Sequence, residues 1–443
     1  MRQHITKTGI IRKPLLIIIG TLFCLFYFSE AIFPLLAMSS IETMDISKTG
    51  AAITSISGNT TTPLWLKLYT DLFLAASLLL IFFRINEVIF FIKTNKIYVL
   101  LLVYILFSSV WALDFLASLR EAIKIFVASL FGFFLAARFS GKELLLLLSI
   151  TMAVIVISSF VFALGFPEYG VHSSGEHLGE WRGAFMHKNS LAVVMNIAFI
   201  TFALSTMHFK KFRWIYAGFA VLAAILVLLS QSGTGIVILS LIIISPLFLP
   251  FFRLPGALAV SCILTLICLG SLIFVLVEGT TLMDMLLKAL GKDPTLTGRT
   301  DIWEGFLYSL SDYRSGRVFE GYGAQTIAIT DQGNLVTQIF EDKNFSSYDP
   351  NNAYMSILLK FVLIGSLLLA LTLFKAAYSA INQLHTDTSV MSRWYIQFMM
   401  LLFINSITEA TDKFPILWMF LALTLASPYI RDEDTPAFKQ SYA

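Results

Sequence analysis

Glu143–Gly165, written in one-letter code ELLLLLSITMAVIVISSFVFALG, decides the fold class. Past Glu143 the run carries no charge. A helix that crosses a bilayer needs about 20 consecutive, mainly apolar residues, and this stretch is long enough. The same test, carried outward along the chain, predicts helices near 15–37, 64–83, 97–113, 122–137, 143–165, 190–207, 214–230, 234–251, 255–278, 353–374, 394–408 and 414–429. The expected fold is an all-α integral membrane protein with about twelve transmembrane helices.

Composition points the same way. Of 443 residues, 57% are hydrophobic and 13% are charged, against about 25% charged in soluble domains. Such a chain is solvated mainly by lipid. The formal net charge of +3 and the lack of a basic block or zinc-finger spacing argue against nucleic acid as a partner. Cys24, Cys262 and Cys268 all lie in apolar runs, so they form neither a disulfide framework nor a CxxC metal pair. The first apolar run follows Arg2, Lys7, Arg12 and Lys13. It is too long for a signal-peptide core and lacks a small-x-small cleavage site, so it reads as a retained first helix.

Cations gather in alternate connections. After the basic N-terminus come Arg84, Lys93 and Lys96, then Arg138 and Lys142, then Lys210, Lys211 and Arg213. Arg253, Lys375, Arg393, Arg431 and Lys439 complete the set. With about twelve spans these all fall on one side, which the positive-inside rule makes cytoplasmic, together with both termini. The opposite side receives 38–63, 114–121, 166–189, 231–233, 279–352 and 409–413. Segment 279–352, between the ninth and tenth helices, carries Arg299, Arg314, Arg317 and Lys343. Long loops escape the positive-inside bias, so these cations call for an anionic partner. No solenoid-period repeat divides the chain. One membrane domain, 1–443, with a helical external cap at 279–352, is the expected organisation.

Three external stretches carry the chemistry. The first is Trp181-Arg-Gly-Ala-Phe-Met-His-Lys-Asn189, preceded by His172, His177 and Glu180 in a loop broken by Pro167, Gly170, Gly175 and Gly179. Arg182 can grip a phosphate with parallel donors and Lys188 adds a point charge; contact with lipid headgroups is the plainer alternative. The second is Leu296-Thr-Gly-Arg299-Thr-Asp-Ile-Trp303. A short amphipathic helix over 282–290 precedes it, and Thr300 or Asp301 caps a further helix. Arg299 then stands at a helix start, an end that favours anions, while Trp303 and Phe306 pack. The third is Tyr348-Asp-Pro-Asn351-Asn352-Ala-Tyr354. One asparagine caps the following helix, and Asp349 is a candidate general base for an acceptor hydroxyl. Ser230-Gln-Ser232-Gly-Thr234 joins two helices on the same side, where hydroxyls serve a ligand or the turn. Gly321-Tyr-Gly323 reads as a turn. Glu30, Asp71 and Lys360 lie in or near spans, where charge faces a bundle interior, and Lys67 and Asp71 are spaced to neutralise each other.

Taken in order, Arg182-Gly183-x-Phe185-x-His187-Lys188-Asn189, Ser230-x-Ser232, Gly298-Arg299-x-x-Ile302-Trp303 and Asn352-x-Tyr354 resemble the O-antigen ligase and polymerase superfamily. That group takes in O-antigen ligases, Wzy-type polymerases and ExoQ-like exopolysaccharide polymerases, and the likeness spans roughly 180–365. It implies a GT-C-like glycosyltransferase of the bacterial inner membrane, acting at the periplasmic face on an undecaprenyl-pyrophosphate-linked glycan. It further implies an acceptor glycan, contact with membrane lipids, a chain-length regulator as a candidate partner, and no metal or other cofactor. By the same resemblance Arg182 and Arg299 hold the pyrophosphate, with His187 or Asp349 activating the acceptor. Lys188, Asn189, Ser232, Trp303, Asn351, Asn352 and Tyr354 would bind substrate.

The chain departs from the ligase pattern twice. Asn351 stands where ligases carry histidine, and Val362-x-x-Gly365 replaces a Gly-x-x-Gly. His187 and Lys188 resemble the ExoQ-like branch, so the expected activity is polymerisation of lipid-linked repeat units. The alternatives are transfer of polymer to lipid A-core and transport of lipid-linked sugar. The last would show inverted repeats, and none is evident.

Overall fold

The computed structural model of the chain describes residues 13–29, 64–112, 114–173, 177–248, 321, 323–324, 352–386, 390–409 and 414–430. Among these the regular elements are helical: α1 (Lys13–Ser29), α2 (Leu64–Phe82), α3 (Ile85–Thr94), α4 (Lys96–Phe107), α5 (Phe115–Arg138) and α6 (Gly141–Gly165). They continue as α7 (Lys188–His208), α8 (Arg213–Leu229), α9 (Gly233–Phe248), α10 (Ala353–Thr386), α11 (Val390–Thr408) and α12 (Pro415–Ala426). Among the described residues four stretches are long and apolar enough to cross a membrane: Gly141–Gly165, Lys188–His208, Lys210–Leu229 and Lys360–Leu384. The bent pair α2–α3 makes five if counted as one span, and shorter apolar helices cover Pro14–Phe28, Lys96–Trp111, Gly233–Leu247 and Pro415–Tyr429. The expected helix at 255–278, the amphipathic helix at 282–290 and the chain termini lie outside the described residues.

The decisive run forms α6 as expected, and its one charge caps it. The Ser140 N–H donates to Glu143 Oε2 at 2.9 Å, while the Glu143 N–H reaches Ser140 Oγ at 3.4 Å, a reciprocal capping box. Three segments differ from the reading of the sequence. The helix expected to end near 374 runs to Thr386, so Lys375, taken as a connection cation, lies within α10. Residues 85–94, taken as part of a cationic connection, form α3, bent 89° from α2. Val88 and Phe91 bury one face of it while Arg84 and Glu87 pair on the other at 3.1 Å. The helix expected from 122 starts at Phe115, because the Asp114 carboxylate accepts the Ala117 N–H at 3.0 Å and satisfies the first turn.

The described bundle buries an apolar, aromatic-rich core and is also apolar on its outside. Trp394 stacks on Phe398 at 5.3 Å and meets Phe420 edge-on at 5.2 Å. Against this background a few polar pairs fix helix registry, as they do where lipid leaves no hydrophobic difference between inside and outside. Tyr98 Oη donates to Ser129 Oγ at 2.7 Å, Ser149 meets Ser205 at 2.8 Å, and Trp394 Nε1 donates to Thr201 at 3.1 Å. Leu72, Phe82, Leu164, Ile225, Leu247, Leu367 and Phe374 project from the outer surface. A belt of that extent would aggregate in water and is what an acyl-chain solvent requires.

One helix is interrupted. Val362 in α10 has φ 49° and ψ −146°, a region that a β-branched residue rarely enters. The carbonyls just before the break find partners outside the helix. Lys360 O accepts the Gly323 N–H at 3.0 Å and Phe361 O accepts Tyr104 Oη at 3.1 Å. Gly323 belongs to the cap segment. With Gly321 and Ala324 it is buried at the bundle end, where the Ala324 N–H donates to Ser118 Oγ at 2.9 Å. Gly323 has φ 85°, and a side chain there would collide with Ala112 and Ser118.

Candidate functional site

The ends of six helices meet around the loop between α6 and α7. Pro167–Gly170 makes a single helical turn, and Val171 and Trp181 then form an isolated antiparallel bridge. The His172 N–H donates to Glu180 O and the Gly179 N–H to His172 O, both at 2.9 Å, which closes a small hairpin. The Trp181 N–H donates to Leu229 O at 3.1 Å and ties the hairpin to the end of α8. Gly183 has φ 58° and donates to Gly170 O at 2.9 Å. A Cβ on it would lie 2.8 Å from that of Ser159.

This turn holds Arg182, which is 7% exposed. Nε donates to Tyr169 O at 2.8 Å and Nη2 to Glu168 O at 3.0 Å. One edge of the guanidinium therefore anchors the loop. Arginine has five N–H donors, so the Nη1–Nη2 edge keeps its donors for a second task. Burial lowers the pKa of Arg182 from its usual value.

His187 is the N-cap of α7, its Nδ1 accepting the Asn189 N–H at 3.2 Å. Burial, reinforced by His172, His177, Lys188 and Arg182, pushes its pKa down to about 3. His172 is pushed down to about 4 by burial and then by Arg182, His177 and Lys188. The rings of His172, His177 and His187 sit 5.3–5.7 Å apart. The His187 imidazole is therefore held neutral near pH 7, with its Nδ1 engaged by the Asn189 N–H. Among the described residues no group of His, Cys, Asp or Glu has the spacing of a metal site.

Lys188, expected to meet an anion, is held by Glu180: Nζ to Oε1 is 2.7 Å, with 13% of each side chain exposed. The other Glu180 oxygen lies 2.9 Å from His177 Nδ1. Asn189 links three elements. Its Oδ1 accepts Ser232 Oγ at 2.9 Å, and its Nδ2 donates to Glu409 Oε1 at 2.6 Å. Ser230 serves the turn instead, its Oγ donating to Val227 O at 2.6 Å beside Gln231 at φ 51°. Asn352 caps α10, Oδ1 accepting the Met355 N–H at 3.0 Å, while Nδ2 donates to Ile407 O at 2.8 Å. Tyr354 Oη reaches Phe403 O at 3.3 Å.

The structure thus brings Arg182, His187, Lys188, Asn189, Ser232, Asn352 and Tyr354 to one end of the bundle. Arg299, Trp303, Asp349 and Asn351 lie outside the described residues. Glu409, which meets Asn189, was not among the residues singled out from the sequence. A small apolar cleft lies between α10, α11 and α12, with Tyr354 and Ser406 among its lining. Most connection cations occupy the other end, where Lys375 Nζ donates to Thr94 O at 2.6 Å and Arg393 lies against Met207. Neither a protein-family model nor a curated protein matches this chain.

Proposed function

We propose that the chain is a membrane glycosyltransferase that polymerises undecaprenyl-pyrophosphate-linked glycan repeat units, with its active site at the periplasmic face. One observation supports the reading: residues far apart in sequence, Arg182–Asn189, Ser232 and Asn352–Tyr354, meet at a single bundle end, opposite most of the described connection cations. That charge asymmetry supports cytoplasmic termini and an external site. In the reaction an acceptor hydroxyl oxygen attacks the anomeric carbon of the donor sugar. The bond from that carbon to the pyrophosphate oxygen breaks, and the pyrophosphate leaves with the electron pair. Charge grows on that leaving group. The Nη1–Nη2 edge of Arg182 and the start of α10 are fixed donors and dipoles of the sign that stabilises it in a poorly hydrated site. Arg299 is proposed as the second clamp, by its place in the motif.

The test is a deletion strain whose surface polysaccharide and lipid-linked intermediates are extracted together. Single repeat units on both carrier lipid and final acceptor are the expected result. Full-length polymer stranded on the carrier would mean a ligase, and repeat units held in the cytoplasmic leaflet would mean a flippase. Complementation with Arg182→Ala or Arg299→Ala should leave protein in the membrane and no polymer; normal chain length in both would remove the clamp.

A further inference from the structure

The turn between α7 and α8 carries a second chemistry, at the bundle end opposite the site. It reads Met207-His-Phe-Lys-Lys-Phe-Arg-Trp214. The Phe209 N–H donates to Ser205 O at 2.8 Å and closes α7. Lys210–Phe212 then makes one 3₁₀ turn, in which the Phe212 N–H donates to Phe209 O at 3.0 Å. The Phe209 ring packs against Tyr216, 5.5 Å away, and joins the core. The side chains that follow stay outside. Lys210, Lys211, Phe212, Arg213 and Trp214 are all exposed, Trp214 at 75%. A fourth cation comes from α11, where Arg393 Nη1 lies 3.8 Å from Met207 Sδ and the buried Nε has no hydrogen-bond acceptor.

Elsewhere at this end cations find partners within the chain, Arg84 in Glu87 at 3.1 Å and Lys375 in Thr94 O at 2.6 Å. Among the described residues none of Lys210, Lys211, Arg213 and Arg393 meets a carboxylate. Two of them fold over neighbouring rings instead: Lys211 Nζ is 5.4 Å from the centre of the Phe212 ring, and Arg213 Cζ is 4.6 Å from that of Trp214. Arg213 also opens α8, whose first turn holds no acidic residue. A helix start carries partial positive charge and disfavours a cation. Clustered like charges in that setting call for an anion from outside the chain. The rings give its depth. Tryptophan gathers at the boundary between membrane and water, with an apolar body and a polar edge. From Trp214 onward α8 turns Ile215, Val221 and Leu228 outward. An anion held at that boundary, above an apolar helix face, is a phosphate that carries acyl chains.

We infer that this turn binds the headgroup of an anionic membrane phospholipid, with Lys210, Lys211, Arg213 and Arg393 around the phosphate and Trp214 and α8 against the chains. The inference needs a bundle seated in a membrane and is independent of the glycosyltransferase reading.

The experiment uses the full-length protein in neutral detergent, titrated with phosphatidylglycerol, phosphatidylcholine or inorganic phosphate, with bound lipid read by native mass spectrometry. Phosphatidylglycerol should bind more tightly than phosphatidylcholine, and inorganic phosphate at the same concentration should not displace it. A basic residue near an anionic lipid surface contributes about fivefold to binding, so the triple variant Lys210→Gln, Lys211→Gln, Arg213→Gln should weaken phosphatidylglycerol at least about tenfold. Its phosphatidylcholine binding should not change, and its Tm without added lipid should match wild type because all three side chains are exposed. Arg393→Gln alone should cost about fivefold. Lys93→Gln with Lys96→Gln removes two exposed cations from the same end and should leave binding near the wild-type value. Unchanged phosphatidylglycerol binding in the triple variant overturns the inference. An equal loss in the Lys93 and Lys96 variant also overturns it, by showing a diffuse field in place of a site. Displacement by inorganic phosphate would show a free-anion site and overturn the lipid assignment.

Discussion

Removing one member of the Lys188–Glu180 pair separates a structural role from a ligand-binding one. The two side chains meet at 2.7 Å with 13% of each exposed, and Glu180 also faces His177. Deleting one partner of a well-buried pair costs about 3–5 kcal/mol because the other charge is left uncompensated. The remaining exposure lets water screen this pair, so Lys188→Met and Glu180→Gln are each expected to cost about 2–3 kcal/mol. The double variant strands no charge and should lie within about 1 kcal/mol of wild type. A coupling of about 2 kcal/mol or more follows for the cycle. The assay is thermal unfolding of the full chain in detergent, followed by helical circular dichroism. At about 2–4 °C per kcal/mol in mid-sized domains, each single variant should melt roughly 5 °C low and the double variant close to wild type. Additive single effects below about 0.5 kcal/mol would refute the reasoning and place the pair among ordinary surface ion pairs. Polymer formation gives the second arm. If the double variant regains stability without activity, the Lys188 charge acts on the ligand. If it regains both, Lys188 is there to close the hairpin.

Other perturbations test the same loop. Gly183→Ala puts a Cβ at φ 58° and 2.8 Å from Ser159, and should cost about 1–3 kcal/mol, seen as a lower Tm and, through the displaced Arg182, weaker polymer formation. The histidines set a pH limit. Folding depresses His172 to about 4 and His187 to about 3, so below about 6.5 the unfolded chain binds protons that the folded chain refuses. Stability should be level above that pH and fall steadily toward pH 4. His172→Asn should flatten part of the slope, and equal Tm values at pH 7.5 and 5 would contradict the burial argument.

Apolar length made most of the helices legible, and the capping box at Ser140 and Glu143 was written in adjacent residues. Segment 84–94 was not, because its cations masked an apolar face, Val88 and Phe91, only one side wide. The early start of α5 was hidden for a related reason: Arg120, Glu121 and Lys124 dilute the apolar count, yet Lys124 and Glu121 pair at 2.9 Å on the helix surface. Arg182 and Asn189 were singled out from their motif. Their partners were not. Arg182 is held by backbone carbonyls of a turn, which carry no sequence signature, and Glu409 meets Asn189 across 220 residues. Side-chain chemistry near a helix end is visible locally; which distant end it faces is a product of packing.

The break in α10 has a mechanical consequence for the cap. Lys360 O is bonded to Gly323 and Phe361 O to Tyr104, so Gly323 is stitched to α10 at the point where that helix interrupts its own ladder. Lifting Gly323 away would take its N–H from Lys360 O, a loss that is costly in apolar surroundings unless water follows. Straightening α10 would supply the carbonyl with a helical partner again. Release of Gly323 and straightening of α10 are thus two halves of one movement, and that movement would also change the pitch of the wall along the apolar cleft.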